Sequence, residues 1–397
     1  MAVWFPCAAP AVAQEPRRDP RNPGQLRLGP LYVTPRLALK NIGVDTNVFN
    51  EVENPKSDFT VTGGPTVDAL MQIGRLELTG DAEADLVYFH TYSSERSINT
   101  NFSVRGDVDL HRLTLFAEDR FLNTRERPNF EIDARSRRLR NDLRAGARVD
   151  LLSKLAVEVA GRTSIVEYDQ DATFLGTSLR EQLNRDERAV SATLRYAVTP
   201  LTTIVVAAEA EESRFPFSPV RNTDSVRIVP GVEFTPQALL SGSAHVGYRR
   251  FQSLDDALPD FSGLVAAVRL AYTFRESTIF TVTADRDVDY SFETFDPYFV
   301  VDGVGGGVRR RIGGRFDVSV GYRRDRYSYR RLVGVSAAGV DDARRDVIDS
   351  YSASVGYGLR RGVRIGFGGT YFDRESNRSS RRNYQGLRLG TSVTYGF

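Results

Sequence analysis

Three histidines and a run of glycines are the residues to weigh first for chemistry. A hydrolytic site needs a nucleophile and its base about 2.6–3.2 Å apart. His245 shares the polar face of its segment with Ser241 and Ser243, at i−4 and i−2. Positions two apart on one strand face are spaced too widely for that contact, so a catalytic pair at His245 would need a cross-strand partner. His111 falls in a short turn and His90 at the edge of a long loop. The glycines Gly303, Gly305, Gly306 and Gly307 lack the following Lys-Ser/Thr of a phosphate-cradling loop. No Cys/His cluster has the spacing of a transition-metal site. The expectation is no catalytic residue, no metal and no cofactor. Net charge is +2, with Lys and Arg interspersed among carboxylates. A phosphate-binding surface would concentrate them, so a nucleic-acid partner is not expected.

The one cysteine, Cys7, lies in the apolar stretch Ala2 to Ala13, which ends in an Ala-x-Ala pattern at Ala13. This reads as the tail of a secretory signal over residues 1–13. Its positively charged start is missing, so translation is expected to begin upstream. Pro6 opposes a lipoprotein reading of Cys7, because a small residue is expected there. Cleavage after Ala13 would leave an exported chain free of cysteine. Residues 14–28 begin polar and Pro-rich and are expected to be a flexible periplasmic lead-in.

These residues must be held by elements of period two. Charged residues make up 26% and mean hydropathy is −0.33, yet such averages conceal a membrane barrel, because lipid-facing and lumen-facing side chains cancel. Leu387, Leu389, Thr391, Val393, Tyr395 and Phe397 alternate with Arg388, Gly390, Ser392, Thr394 and Gly396. Leu143 to Leu151 and Leu76 to Leu86 alternate likewise. Such runs reach the roughly 9–11 residues that cross a bilayer as strand. A soluble sandwich shows the same alternation; turn lengths separate the two. Short turns near 73–74, 111–112, 153–154, 199–200, 236–237, 275–276, 313–314 and 361–362 alternate with long loops near 44–57, 92–98, 124–135, 169–184, 215–223, 252–259, 291–297, 330–345 and 375–382. Aromatics such as Tyr196, Tyr248, Tyr272, Tyr322 and Tyr351 mark the strand ends on the apolar face.

The expectation is an all-β protein: a single transmembrane antiparallel up-and-down barrel over residues 29–397, of about 18 strands. Short periplasmic turns, long extracellular loops and periplasmic termini follow from that pattern. The spacing sets Arg105 opposite Glu118 and Arg148 opposite Glu158. Asp119 and Arg286 fall on the lipid face, which implies the outer rim or a bulge. Faces blur over Tyr298 to Arg311, where Asp302 and the glycines interrupt them.

A barrel this wide encloses water. Its expected inner wall is acidic at Glu77, Asp81, Glu83, Asp85 and Asp107, with Asp109 alongside, and basic at Arg138, Arg140, Arg144 and Arg148. Opposed rows would set up a transverse field; alternatively the charges pair with neighbours. Elsewhere the wall is small and hydroxylated: Ser350, Ser352 and Ser354 beside Arg364, Gly366 and Thr370, then Arg388. Phe89, Phe251, Phe372 and Tyr384 lie near the outer rim, as sugar-contacting or girdle aromatics. Loops 169–184 and 330–345 are long enough to fold inward.

The carboxyl end resembles that of other outer-membrane barrels, whose alternating apolar positions close on an aromatic residue. Leu389, Val393, Tyr395 and Phe397 fit, which implies a signal read by the barrel-assembly machinery. Gly43-Val44-Asp45-Thr46-Asn47-Val48-Phe49 resembles the opening of the β-barrel porin 2 outer-membrane family, with Val44 in place of the usual aromatic. The resemblance rests on Gly43, Asp45, Asn47 and Phe49. It implies a barrel in contact with outer-membrane lipid and lipopolysaccharide, and a link to exopolysaccharide and its export proteins. Asp45 and Asn47 either bind sugar or a cation, or cap the first hairpin as Asx residues do. The functions in view are a porin-like channel, a non-conducting scaffold of a surface-polymer assembly, and a barrel hydrolase.

Overall fold

A computed structural model describes residues 26–334, 343–359, 363–378 and 382–396. Strands β1 (Leu31–Asp45), β2 (Asp58–Ile73), β3 (Leu76–Phe89), β4 (Ser97–Leu110), β5 (Leu113–Thr124) and β6 (Arg138–Leu152) open the sheet. They are followed by β7 (Leu155–Tyr168), β8 (Arg185–Thr199), β9 (Thr202–Arg214), β10 (Thr223–Phe234), β11 (Leu240–Ser253) and β12 (Phe261–Phe274). Last come β13 (Thr278–Tyr290), β14 (Tyr298–Ile312), β15 (Phe316–Arg330), β16 (Arg345–Gly358), β17 (Val363–Ser376) and β18 (Tyr384–Gly396). Each strand pairs antiparallel with its sequence neighbour. β1 also pairs with β18, from Arg36↔Gly396 to Asp45↔Arg388. The sheet is therefore a closed 18-strand barrel. Residues 26–28, within the expected lead-in, form a short strand folded back on 31–33.

Period-two chemistry explains the two faces. Leu143, Val190, Ile204, Val282, Phe367 and their like are 40–65% exposed and point away from the barrel axis. The alternating polar residues carry the cross-strand ion pairs and meet the loops that fold over the barrel mouth, so theirs is the concave face. Short turns differ from expectation by a residue or two: Gly74-Arg75 joins β2 to β3, and five residues, 235–239, join β10 to β11. Gly313 and Gly314 both adopt positive φ, 58° and 73°, which their turn requires and which glycine supplies without Cβ strain. The turn at 361–362 and Phe397 lie outside the described residues, as does the expected signal segment 1–13.

Both register expectations hold: Arg105 faces Glu118 and Arg148 faces Glu158. Neither of the two lipid-face charges sits at a register shift, and each has a partner. Asp119 accepts a 3.0 Å hydrogen bond from Asn141 Nδ2 on β6, and the ladder runs unbroken past it. Arg286 pairs with Asp302 on β14 and donates to the Leu264 carbonyl of β12 at 3.1 Å. A charge facing lipid costs about 2–4 kcal/mol at mid-bilayer; pairing offsets part of that. β14 itself is regular along both edges. Its concave-face glycines leave room for neighbours, since a Cβ on Gly303 would strike Arg323 and Asp285.

The ladder between β12 and β13 stops well short of its outer end. β12 and β13 pair from Phe274↔Thr278 to Ala266↔Arg286 and then separate, although β12 begins at Phe261 and β13 runs to Tyr290.

Candidate functional site

Along the wall the expected opposition of acidic and basic rows dissolves into pairs. Lys40 on β1 binds both Glu83 and Asp85 on β3. Asp81 accepts from Ser103 at 2.7 Å, and Asp107 binds Arg105 at 2.6 Å. Arg144 bonds Glu158 at 2.5 Å, while Arg148 turns to Asp150 on its own strand at 3.1 Å. Arg140 joins Asp142 at 2.7 Å and Glu187 at 3.5 Å. From Glu187 the charges alternate around the barrel: Arg162, then Glu211 at 2.5 Å, then Arg249 at 3.2 Å, then Asp287 at 2.8 Å. Arg323 continues the belt, holding Asp285 and Asp325 at 2.6 Å each. Neighbour pairing cancels most of the field that separate rows would create. Glu77 and Asp107 keep an acidic character at the short-turn end, where with Gln72, Asp109 and Thr114 they line a cavity of about 600 Å³.

From β14 to β18 the wall changes. Gly305, Gly307, Ser319, Ser352, Ser354 and Gly368 share the concave face. Ser319 and Ser354 hydroxyls meet at 2.7 Å, and Arg364 is held by Asp317 at 2.6 Å. Arg138 is buried at the loop end of β6. The histidine sector holds no serine-histidine bond: Ser241 Oγ donates to the Ala271 carbonyl, and His245 Nε2 lies 3.7 Å from Glu233. Among the described residues no group of three or more acidic, His or Cys side chains is arranged to hold a metal.

The first loop is a seam rather than an open site. Asp45 Oδ1 accepts from the Asn47 backbone N–H at 3.0 Å, and its other oxygen takes Arg388 Nε at 3.2 Å. Asn47 Nδ2 donates to the carbonyls of Glu51 and of Gln385 on β18. The Thr46 N–H reaches Leu387 O, and Leu387 N–H returns to Thr46 Oγ1, both at 3.0 Å. Gly43 packs so tightly on β18 that a Cβ would overlap the Leu389 carbonyl. Phe49 stacks edge-on against Tyr92 at 4.9 Å. Gly43, Asp45 and Asn47 thus tie the first strand and loop to the last strand, while Phe49 pins the loop to Tyr92 beyond β3. Leu389 and Tyr395 are each 38% exposed on the apolar side of β18, and Val393 shares that face.

At the long-loop end the mouth is filled. Loop 125–137 joins β5 to β6, yet Glu131 Oε1 accepts from Ser291 Oγ at 2.5 Å. Ser291 follows β13, eight strands round an eighteen-strand ring, so the loop crosses the bore. From there Asp133 takes Tyr384 Oη at 2.6 Å, Asn50 Nδ2 at 2.9 Å and Arg374 at 3.0 Å. Arg374, fully buried, also binds Asp346 at 2.8 Å. Arg344 adds Asp346 and, at 3.1 Å, Glu293. Burial pushes the Glu131 carboxyl up to about 7 despite the nearby Arg344 cation, and one of its oxygens has no hydrogen-bond partner. An apolar cluster packs beneath: Ile132, Ala172, Leu179, Leu183, Phe215, Phe251, Phe292 and Tyr298. Leu179 and Leu183 belong to α1 (Leu179–Leu183), whose first turn is capped by Ser178.

Sequence reasoning expected loop 169–184 to be long enough to turn inward, and it does contribute to this cluster. The loop that spans the bore, 125–137, was missed. So was the role of the rim aromatics: Phe89, Phe251, Phe372 and Tyr384 are at most 3% exposed and pack into the plug instead of forming a girdle. A signal was present. Each occupies the polar parity of its strand, where alternation alone calls for a wet side chain.

The fold is similar to solved porins at low sequence identity. OccK2 (OpdF) of Pseudomonas aeruginosa aligns with TM-score 0.50 and 12% identity, over 92% of this chain and 97% of that one. A BenF-like porin from Pseudomonas fluorescens Pf-5 aligns with TM-score 0.49 and 11% identity, over 92% and 98%. No protein of curated function matches. The family description "Putative beta-barrel porin 2" matches residues 19–397, the whole described barrel included, and the chain belongs to that family.

Proposed function

We propose that this outer-membrane barrel is a channel for polar solutes, with its long loops outside the cell, its short turns and both termini in the periplasm, and its bore closed at the outer mouth in this conformation. The observation that carries the reading is the concave face: eighteen strands present it with charge pairs, hydroxyls and glycines, where a filled core would demand apolar side chains. Glu77, Asp81, Glu83, Asp85, Asp107, Arg138, Arg140, Arg144, Arg148, Arg364 and Arg388 line it in this reading. Their mutual neutralisation supports passage of solutes without strong charge preference. The Gly/Ser/Thr sector of β14 to β18 leaves width and hydroxyl partners on one side, which suits a carbohydrate chain. Exopolysaccharide export, the role the family resemblance implies, fits that chemistry. Lipid and lipopolysaccharide surround the apolar face, and the Leu389, Val393 and Tyr395 row is the face offered to the assembly machinery.

A second reading, a non-conducting scaffold for surface-polymer assembly, is favoured by the plug itself, because buried charges at a mouth resist opening. Purified protein in planar bilayers separates the two. Stepwise single-channel currents, reduced by added oligosaccharide, support the channel. A folded barrel that stays silent across voltage and pH supports the scaffold.

A further inference from the structure

We propose that the upper edge of β13, carried on β14, is a gate that curls between the lumen, where it now lies, and closure on β12. The inference rests on the channel reading above. Its starting point is the incomplete ladder. The register that ends at Ala266↔Arg286 extends without change to four further rungs: Val265 with Asp287, Leu264 with Val288, Gly263 with Asp289, and Ser262 with Tyr290. None of these forms, although β12 keeps its other edge on β11 up to Phe251↔Phe261 and β13 stays paired with β14 up to Tyr290↔Tyr298. β14 in turn keeps its ladder to β15 up to Tyr298↔Arg330, so the sheet is open at this one seam and its β13 edge curls inward on a wall that otherwise stays joined.

Its contacts show where it went. The Tyr290 hydroxyl bonds Thr223 Oγ1 on β10, three strands away, and its ring packs edge-on against Phe215 at 4.7 Å. The Tyr298 ring lies 5.1 Å from Phe251 on the concave face of β11. Phe292 at the hairpin tip meets Phe174 of loop 169–184 at 5.0 Å. Ser291 reaches Glu131 in the loop that crosses the bore. The hairpin is the centre on which the plug is built.

Arg221 is the latch. It is fully buried in the loop between β9 and β10. Its guanidinium donates to three carbonyls of the tip, those of Ser291, Pro297 at 2.8 Å and Glu293 at 2.7 Å. The remaining donors go to Gln182 Oε1 at 2.7 Å and Ser218 Oγ at 3.2 Å. A planar fork of five donors matches this set, and an ammonium cannot. At the apex of the split Arg286 donates to the free Leu264 carbonyl and pairs with Asp302, so it caps the open edge while the rungs are missing. Two arrangements result. One buries Tyr290, Phe292 and Tyr298; the other recovers backbone rungs and frees the bore. A switching element has this form.

The test uses full-length chain carrying Cys7→Ser with Gly263→Cys and Asp289→Cys, refolded in detergent micelles and reconstituted in planar bilayers. The two positions face each other only when the rungs close. We expect oxidation to form the disulfide in folded barrel, to lock a conducting state, and to be reversed by dithiothreitol. We also expect Arg221→Ala to raise open probability about tenfold or more, as loss of a buried charge-assisted contact should, with Arg221→Lys recovering little. Absence of the disulfide in barrel that is folded by its resistance to unfolding in cold SDS overturns the closure on β12. A disulfide that forms without changing the current of an otherwise conducting barrel overturns the gate. Absence of current in every variant, disulfide formed or not, overturns the channel reading instead.

Discussion

The two ends of this barrel are held by different physics. At the short-turn end the ladders run down to the turns with small register shifts at Asp150/Leu152 and Ala197/Thr199. The ion pairs lie within a strand or span at most one intervening strand, and the side chains stay partly wet. Arg148 and Asp150 there are 47% and 44% exposed. At the long-loop end strand ends and loops converge, and the charges are dry: Arg374 and Asp346 are both fully buried. Local pairing suffices where water remains to solvate a charge, whereas a dry charge must be answered completely by partners from distant parts of the chain. The short-turn end therefore tolerates change, and the loop end behaves as one cooperative unit.

The contrast is broken most directly at Arg374. Removing one member of a buried pair leaves its partners uncompensated and typically costs about 3–5 kcal/mol. Arg374→Ala leaves Asp346 with Arg344 alone and removes the ion pair of Asp133, which keeps only the neutral donors Tyr384 and Asn50. It should lower the midpoint of urea unfolding in micelles and expose the long-loop end to protease while the short-turn end stays protected. Equal protection of both ends after this change would mean that the two ends are held alike.

The same contrast decides what was legible in the sequence. Barrel closure, strand count and the registers at Arg105 and Arg148 were, because alternation and turn length are local signals and one residue of slip inverts every side chain. The plug was not, because its contacts join residues far apart: Glu131 with Ser291, Asp133 with Tyr384. Composition of loop 125–137, rich in Arg and carboxylate, looks the same for a loop in solvent. The wall charges were half legible. Register sets Arg148 opposite Glu158, but twist and reach make Arg144 the partner of Glu158. The motif residues Asp45 and Asn47 were read as either binders or caps; they cap, and in doing so close the seam.

Next in size is a pH effect at the plug. Burial raises the Glu131 carboxyl from 4.5 to about 7. Arg344, Arg382 and Glu293 face it, and Tyr329 and Arg221 lie within its field. In the docked loop Glu131 keeps its proton to higher pH than in an undocked loop. Docking is therefore strongest below pH 4.5 and weakens as pH rises toward 7, by roughly 3 kcal/mol over that window. Open probability should climb between pH 5 and pH 8, and Glu131→Gln should flatten the climb. A slope that survives in Glu131→Gln assigns it to another group.

The seam gives a smaller effect. Asn47→Ala removes two bonds from its amide, one of them to Gln385 O on β18, and leaves the Glu51 backbone N–H without its acceptor. Losses of this kind run about 1–3 kcal/mol. Hydrogen exchange should accelerate at the loop end of β1 and β18 and remain unchanged at β6 and β7.

The smallest effect is the sharpest check on the wet end. Arg148 faces Glu158 in register, so register alone assigns it the larger role. The structure gives Glu158 to Arg144 in a 2.5 Å pair with side chains 27% and 14% exposed, and leaves Arg148 on a half-exposed neighbour of its own strand. Exposed pairs contribute about 0–1 kcal/mol because water and salt screen them. Arg148→Ala should therefore shift the unfolding midpoint by less than Arg144→Ala, and raising salt should erase the Arg148 effect first. If Arg148→Ala proves the costlier change, Glu158 belongs to Arg148 after all, and the short-turn wall is governed by strand register rather than by reach along the concave face.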